Sequence, residues 1–232
     1  MKTKTKIQKI NFNFFDYIRM FKKRGFRLPL YYFKDVHLFD IINGTDTHTW
    51  LPKSEYENKP KNFENGILYM ASWNSEIKKI YKVLNNLNCL NKPYSFIDVG
   101  CGKGKVCILW KLINKKFNKP SRIIGIDYYK PLIEIAKNNF YKVLQNEGEF
   151  YHADATNFDF FKFGDNVIFY LYNPFDKKIL NKFLKTLRNK NIHIIYTNHK
   201  YEEIFNKNKY NLIYCKNGWH PNCSTRIYKK IH

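Results

Sequence analysis

An α/β fold, doubly wound around a parallel sheet with a short antiparallel ending, is what three features of this 232-residue chain predict. Short apolar runs alternate with segments of helical period from Tyr94 onward. The first of these runs breaks into three closely spaced glycines just ahead of a helix. Two strand-like stretches then close the chain, with only a loop containing Gly218 and Pro221 between them. Strands separated by helical crossovers pair in parallel, whereas strands joined by a short loop pair antiparallel.

The elements follow in order. Asn74 or Ser75 is placed to cap a helix whose apolar positions Ile77, Ile80, Tyr81, Leu84 and Leu87 recur at helical spacing. Beyond it the patterning gives a strand over 94–99, a helix near 104–116, a strand over 122–127, a helix over 131–144 and a strand over 149–153. A strand over 166–172, a helix over 177–188, a strand over 192–197 and a short helix near 200–207 complete the alternation, and the closing strands span 212–216 and 225–231. Residues 1–73 are less regular: Gly25 and Pro29 punctuate an early helix, and Gly44, Pro52 and Pro60 mark loops. No internal repeat is present.

Composition narrows the class. The length fits one α/β domain with an N-terminal extension, and 44% hydrophobic residues are enough to bury a core. No apolar run reaches the roughly 18 to 20 residues that span a bilayer, and no apolar stretch with a small-residue cleavage site follows the first lysines. A cytoplasmic protein without a transmembrane segment is expected. The five cysteines (Cys89, Cys101, Cys107, Cys215 and Cys223) are odd in number and lack CxxC spacing, so reduced thiols are expected rather than disulfides.

The formal charge of +22 supports two readings. One is compositional drift, because lysine is accompanied by abundant asparagine, isoleucine and tyrosine. The other is contact with a polyanion, phosphate-rich or membranous, through the N-terminus, where Lys2, Lys4, Lys6, Lys9, Arg19, Lys22, Lys23, Arg24 and Arg27 are opposed only by Asp16. Phe12, Phe14, Phe15, Tyr17 and Phe21 are interleaved there, suited to stacking on bases, to an amphipathic helix on a membrane, or to packing on the main domain.

The chemistry concentrates in Phe96-Ile97-Asp98-Val99-Gly100-Cys101-Gly102-Lys103-Gly104-Lys105. Glycines at such a strand end allow backbone angles other residues resist and let the backbone approach a ligand closely. The spacing is GxGxG, with Lys105 where a dinucleotide fingerprint carries its third glycine, so a nicotinamide-dependent oxidoreductase is disfavoured. The GxxxxGK of a phosphate-binding loop is absent as well. Ligands of doubly wound sheets lie beyond the carboxyl ends of the strands, which directs attention to the strand ends that follow. Asp127, about 20 residues past the glycines, can accept hydrogen bonds from both hydroxyls of a ribose.

With Asp98 ahead of its glycines, the run resembles motif I of the class I S-adenosylmethionine-dependent methyltransferases. Together FIDVGCGKGKV and YLYNPF look most like a little-characterised bacterial group of that family and, more distantly, the histone lysine methyltransferases of the telomeric-silencing type. The resemblance covers about 68–231. It implies a seven-stranded Rossmann-like sheet with the last strand inserted antiparallel, a basic N-terminal extension over 1–67, a methyltransferase domain over 68–232, and S-adenosyl-L-methionine as cofactor. It also implies roles by position. Asp98 and the loop of Gly100, Gly102 and Gly104 hold the methionine part; Asp127 holds the ribose; Asp154 and the amide of Ala155 meet adenine, with Tyr128 against its ring; and Tyr69, three residues ahead of Ser72, faces the cofactor. Asn173, with Tyr172, orients the acceptor and borders the cofactor. Amine-methylating members carry AsnProPro-aromatic where this chain has Asn173-Pro174-Phe175, one proline short.

The acceptor stays open among protein, nucleic acid and small molecule, with an amine of a protein lysine or nucleic acid as one candidate. A nucleic-acid-binding protein that keeps the fold without turnover is the alternative. No metal is expected, since Cys215, His220, Cys223 and His232 lack tetrahedral zinc spacing. Strand-end acids also serve as turn or cap residues, a second reading open for Asp127, Asp154 and Thr156.

Overall fold

The computed structural model describes residues 14–49, 70–119 and 121–231. Its centre is a seven-stranded sheet in the order β3-β2-β1-β4-β5-β7-β6. The strands are β1 (Tyr94–Val99), β2 (Ser121–Asp127), β3 (Glu149–His152), β4 (Asn166–Leu171), β5 (Asn191–Thr197), β6 (Tyr210–Lys216) and β7 (Thr225–Lys230). The first five pair in parallel, while β7 lies antiparallel between β5 and β6. This is the arrangement the resemblance implies.

β1 is buried at all six positions, as a central strand with helices on both faces must be. Alternate residues feed two cores. Phe96, Ile168 and Tyr170 pack under α4 (Asn74–Asn86), α5 (Lys105–Phe117) and α6 (Lys130–Leu144). Ile97, Phe169 and Ile194 pack under α7 (Lys177–Thr186) and α8 (Glu203–Lys207). Aromatic stacking pins the helices to the sheet, with Trp110 of α5 on Phe96 at 3.9 Å between ring centroids. The indole of Trp110 donates to the Tyr94 hydroxyl at 3.1 Å, and that hydroxyl donates to Asn114 at 2.8 Å, so the buried polar atoms are paired.

Before the sheet lie α1 (Phe14–Arg24), α2 (Arg27–Tyr32), a π-helical turn (Phe33–His37) and α3 (Leu38–Asn43). Residues 27–43 are therefore far more helical than their patterning suggests. Gly25 does end α1, at φ +64°, but Pro29 falls in the first turn of α2, where its missing N–H costs no hydrogen bond. The start of α4 also departs from expectation. Trp73 takes the cap position without a side-chain bond, and the capping carboxylate is that of Asp35, which accepts from the amide of Ser75 at 3.1 Å and from its hydroxyl. Pro52, Pro60, Lys2, Lys4, Lys6, Lys9, Phe12 and Tyr69 lie outside the described residues. Among the described residues no helix is long and apolar enough to cross a membrane.

Candidate active site

The strand order reverses between β1 and β4, which lie side by side with Val99 opposite Leu171. A crevice at such a switch point opens beyond the carboxyl ends of the strands. The glycine loop leaves β1 there. Gly100 has φ +78°, and a Cβ on it would stand 3.0 Å from the Pro174 ring. Gly104, at φ +81° just before α5, would meet Ala136 at the same distance. Any other residue would push the loop away from the tip of β4 or from α6.

Asp127, buried at the end of β2, accepts from the amide of Gly102 at 2.9 Å with one oxygen and from that of Tyr129 at 2.9 Å with the other. It thereby laces the glycine loop to β2, so its turn role is present here. Burial raises its carboxyl to about 6, against the downward pull of those amides. Asp98 is buried in β1, and the hydrogen bond its carboxylate receives among the described residues is a weak one, from the Cys107 thiol at 3.9 Å. Burial, then the neighbouring charge of Asp127, pushes it well above the usual carboxylate range. Two carboxyls thus share a dry corner.

The tip of β4 carries the opposite deficit. Asn173 is buried at φ +43°, and its Oδ1 accepts from the Tyr196 hydroxyl at 2.8 Å. The Tyr196 oxygen also receives the amide of Lys200 at 3.3 Å, which leaves its hydrogen to give to Asn173. The Nδ2 of Asn173 and the hydroxyl of Tyr172 are buried without a hydrogen-bond partner among the described residues. Burial also raises the Tyr172 phenol well above its ordinary value.

The remaining predicted positions lie around the same end of the sheet. One oxygen of Asp154 accepts from the amide of Thr156 at 2.8 Å and from its hydroxyl at 2.9 Å, a local turn, while Ala155 is buried against the core. Tyr128 is half-buried on the turn after Asp127, its carbonyl 3.0 Å from His152 Nε2. Ser72 lies 3.0 Å from the Tyr170 hydroxyl. Among the described residues Cys215, His220 and Cys223 form no metal-binding group.

Three residues at the glycine loop were not singled out as functional by pattern. Lys105, buried at the first position of α5, donates to the Asp35 carbonyl at 2.6 Å, and burial lowers its ammonium to about 7. Lys103 pairs with Asp46 at 3.1 Å. Asn139 of α6 donates to the Lys103 carbonyl at 3.1 Å and accepts from the Asp46 amide at 3.2 Å. The helical segment before the sheet is thereby fastened to the loop. The lysines sit beside the glycines in sequence, but no local spacing identifies Asp35 or Asp46 as their partners.

A family model described as a methyltransferase domain matches residues 90–231. Several solved methyltransferase structures are similar in outline. The ribosomal protein L11 methylase of Lactobacillus delbrueckii subsp. bulgaricus is 14% identical, over 64% of this chain and 75% of that one, with a TM-score of 0.47. A SAM-dependent methyltransferase of Aquifex aeolicus is 15% identical over 67% and 96%, at 0.44. The magnesium protoporphyrin IX methyltransferase of Synechocystis PCC 6803, with bound SAH, is 13% identical over 86% and 96%, at 0.45. Other matched chains are longer, this one spanning 52% and 55% of two of them. Likeness at this level carries nothing about activity, and no curated protein matches. The family match stands by itself: it covers more than half of the chain, from the residues ahead of β1 through β7, and this protein therefore belongs to the methyltransferase domain family.

Proposed function

We propose that this chain transfers a methyl group from S-adenosyl-L-methionine to an acceptor positioned at the tip of β4. The observation that carries the reading is the pair of buried carboxyls, Asp98 and Asp127, beside a loop whose positive-φ glycines hold it close against the tip of β4 and α6. A cationic molecule with vicinal hydroxyls suits that corner, because its ammonium offsets the Asp98 charge and its hydroxyls donate to Asp127.

In this reading Asp98 and the amides of the 100–104 loop hold the amino acid part, and Asp127 holds the ribose. Asp154, Ala155 and Tyr128 hold the adenine, and Tyr69 contributes from ahead of α4. When bound, the cofactor supplies an already activated methyl group, so the protein's task is alignment and exclusion of water. Asn173 and Tyr172 perform the alignment at the acceptor side. With its carbonyl engaged by Tyr196, Asn173 offers Nδ2–H donors, which favour an acceptor group presenting an oxygen or ring nitrogen over one presenting only N–H. An amine of a protein lysine or nucleic acid would require the Tyr196 contact to rearrange.

The test is transfer of radiolabelled methyl from the cofactor to separated protein, RNA, lipid and small-molecule fractions. Label in one fraction that depends on Asn173 supports the reading. Label in none, with the cofactor bound, contradicts it.

A further inference from the structure

None of the eleven residues of α1 is buried. Its inner face is nonetheless engaged: the Tyr17 hydroxyl lies 2.6 Å from His37 Nδ1, and Met20 packs against the cluster that holds Trp73. Phe14, Ile18 and Phe21 are spaced i, i+4 and i+7 and therefore aligned, with Ile18 half-buried between two exposed rings. Phe14 is 74% and Phe21 46% exposed. Past Gly25 the same spacing recurs in Phe26, Leu30 and Phe33, exposed by 79%, 63% and 43%. The two stripes join where Phe21 meets Phe26 edge to face, with ring centroids 5.1 Å apart. The α1–α2 corner thus presents a continuous ridge of large apolar side chains to solvent.

Cations accompany the ridge. Arg19, Lys22 and Lys23 are exposed on α1 and Lys34 follows Phe33, while Asp16 is the one acid of α1. Arg24 and Arg27 turn to the domain instead: Arg24 donates to the Trp219 carbonyl at 3.0 Å, and Arg27 lies 4.4 Å over the Trp219 ring. They brace the corner against the β6–β7 loop.

Single exposed apolar residues are ordinary, but a joined ridge of this size marks an interaction surface. Its chemistry selects the partner. Nucleic acid would use the cations and stack on aromatic faces, yet gains nothing from Leu30. A bilayer rich in anionic headgroups accommodates both features, taking apolar side chains at the acyl boundary and lysines at the phosphates. We infer that the α1–α2 corner docks this protein on an anionic lipid surface, with Phe14, Phe21, Phe26, Leu30 and Phe33 in the interface and Lys22, Lys23 and Lys34 at the headgroups.

Co-sedimentation of the full chain with phosphatidylcholine vesicles, with and without phosphatidylglycerol, tests this. Wild type should bind the anionic vesicles about tenfold or more tightly than the neutral ones. Phe21→Ser/Phe26→Ser should lose about tenfold in vesicle binding with an unchanged circular dichroism spectrum, and Lys22→Glu/Lys23→Glu should lose the anionic preference. Wild type that sediments with neither vesicle overturns the proposal, a result that needs no variant to fold. It is equally overturned if the corner binds RNA but no vesicle, or if the phenylalanine substitutions only abolish self-association.

Discussion

Asn173 accepts the hydroxyl hydrogen of Tyr196 at 2.8 Å, and this one bond decides which end of the Asn173 amide faces the tip of β4. The left-handed backbone at φ +43° is one that asparagine and aspartate tolerate and alanine resists. Asn173→Asp is accordingly the clean substitution, because it keeps an acceptor for Tyr196 and removes the Nδ2–H donors. Methyl transfer should fall about a hundredfold through loss of alignment, with S-adenosylhomocysteine affinity within about threefold of wild type. Equal turnover would remove Asn173 from the acceptor side.

Asp127 is proposed to hold the ribose as a carboxylate, and its carboxyl is raised to about 6. As pH falls through that value the group gains a proton and loses acceptor capacity. Calorimetric affinity for S-adenosylhomocysteine should therefore weaken below about pH 6 and level off above it. Asp127→Ala should weaken binding at neutral pH by about tenfold or more and flatten the profile. A wild-type affinity indifferent to pH between 5 and 8 would contradict this assignment.

Lys105 predicts a pH trend in stability at higher pH. Its folded value of about 7 lies below the ordinary 10.5, so between the two the unfolded chain binds more protons. Stability drawn from this group rises with pH from about 7 to about 10.5 and does not change below 7. Lys105→Met should show a shallower rise in Tm over that interval than wild type. Parallel curves would mean the ammonium is not desolvated.

Asp35 caps α4 from outside the helix. Replacing it with alanine should lower unfolding free energy by about 1 to 2 kcal/mol, read as a lower denaturant midpoint at unchanged slope. An unaltered midpoint would show that water satisfies the amide of Ser75 equally well.

The legible part of this molecule is where local pattern and tertiary demand agree. Tyr94–Val99 and Val167–Leu171 are mostly apolar and buried throughout because both faces of the sheet are covered, and the helices between strands keep their spacing because one face is buried. The 100–104 turn was legible because glycine itself reports the constraint. Segment 27–43 was not, since Pro29 reads as a breaker in isolation and as a first-turn residue only once the helix exists. Nor was the cap of α4, or the partners of Lys103 and Lys105, because Asp35 and Asp46 reach them across long stretches of chain. The engagement of Asn173 by Tyr196 depends on β4 and β5 being neighbours, which no single strand encodes.

The corner of Asp98, the glycine loop and Asp127 is proposed to hold S-adenosyl-L-methionine and its demethylated product. Isothermal calorimetry of the wild-type chain against S-adenosylhomocysteine and, separately, NADH decides this. One saturable site for S-adenosylhomocysteine and no heat from NADH are expected; binding of NADH without S-adenosylhomocysteine would overturn the assignment.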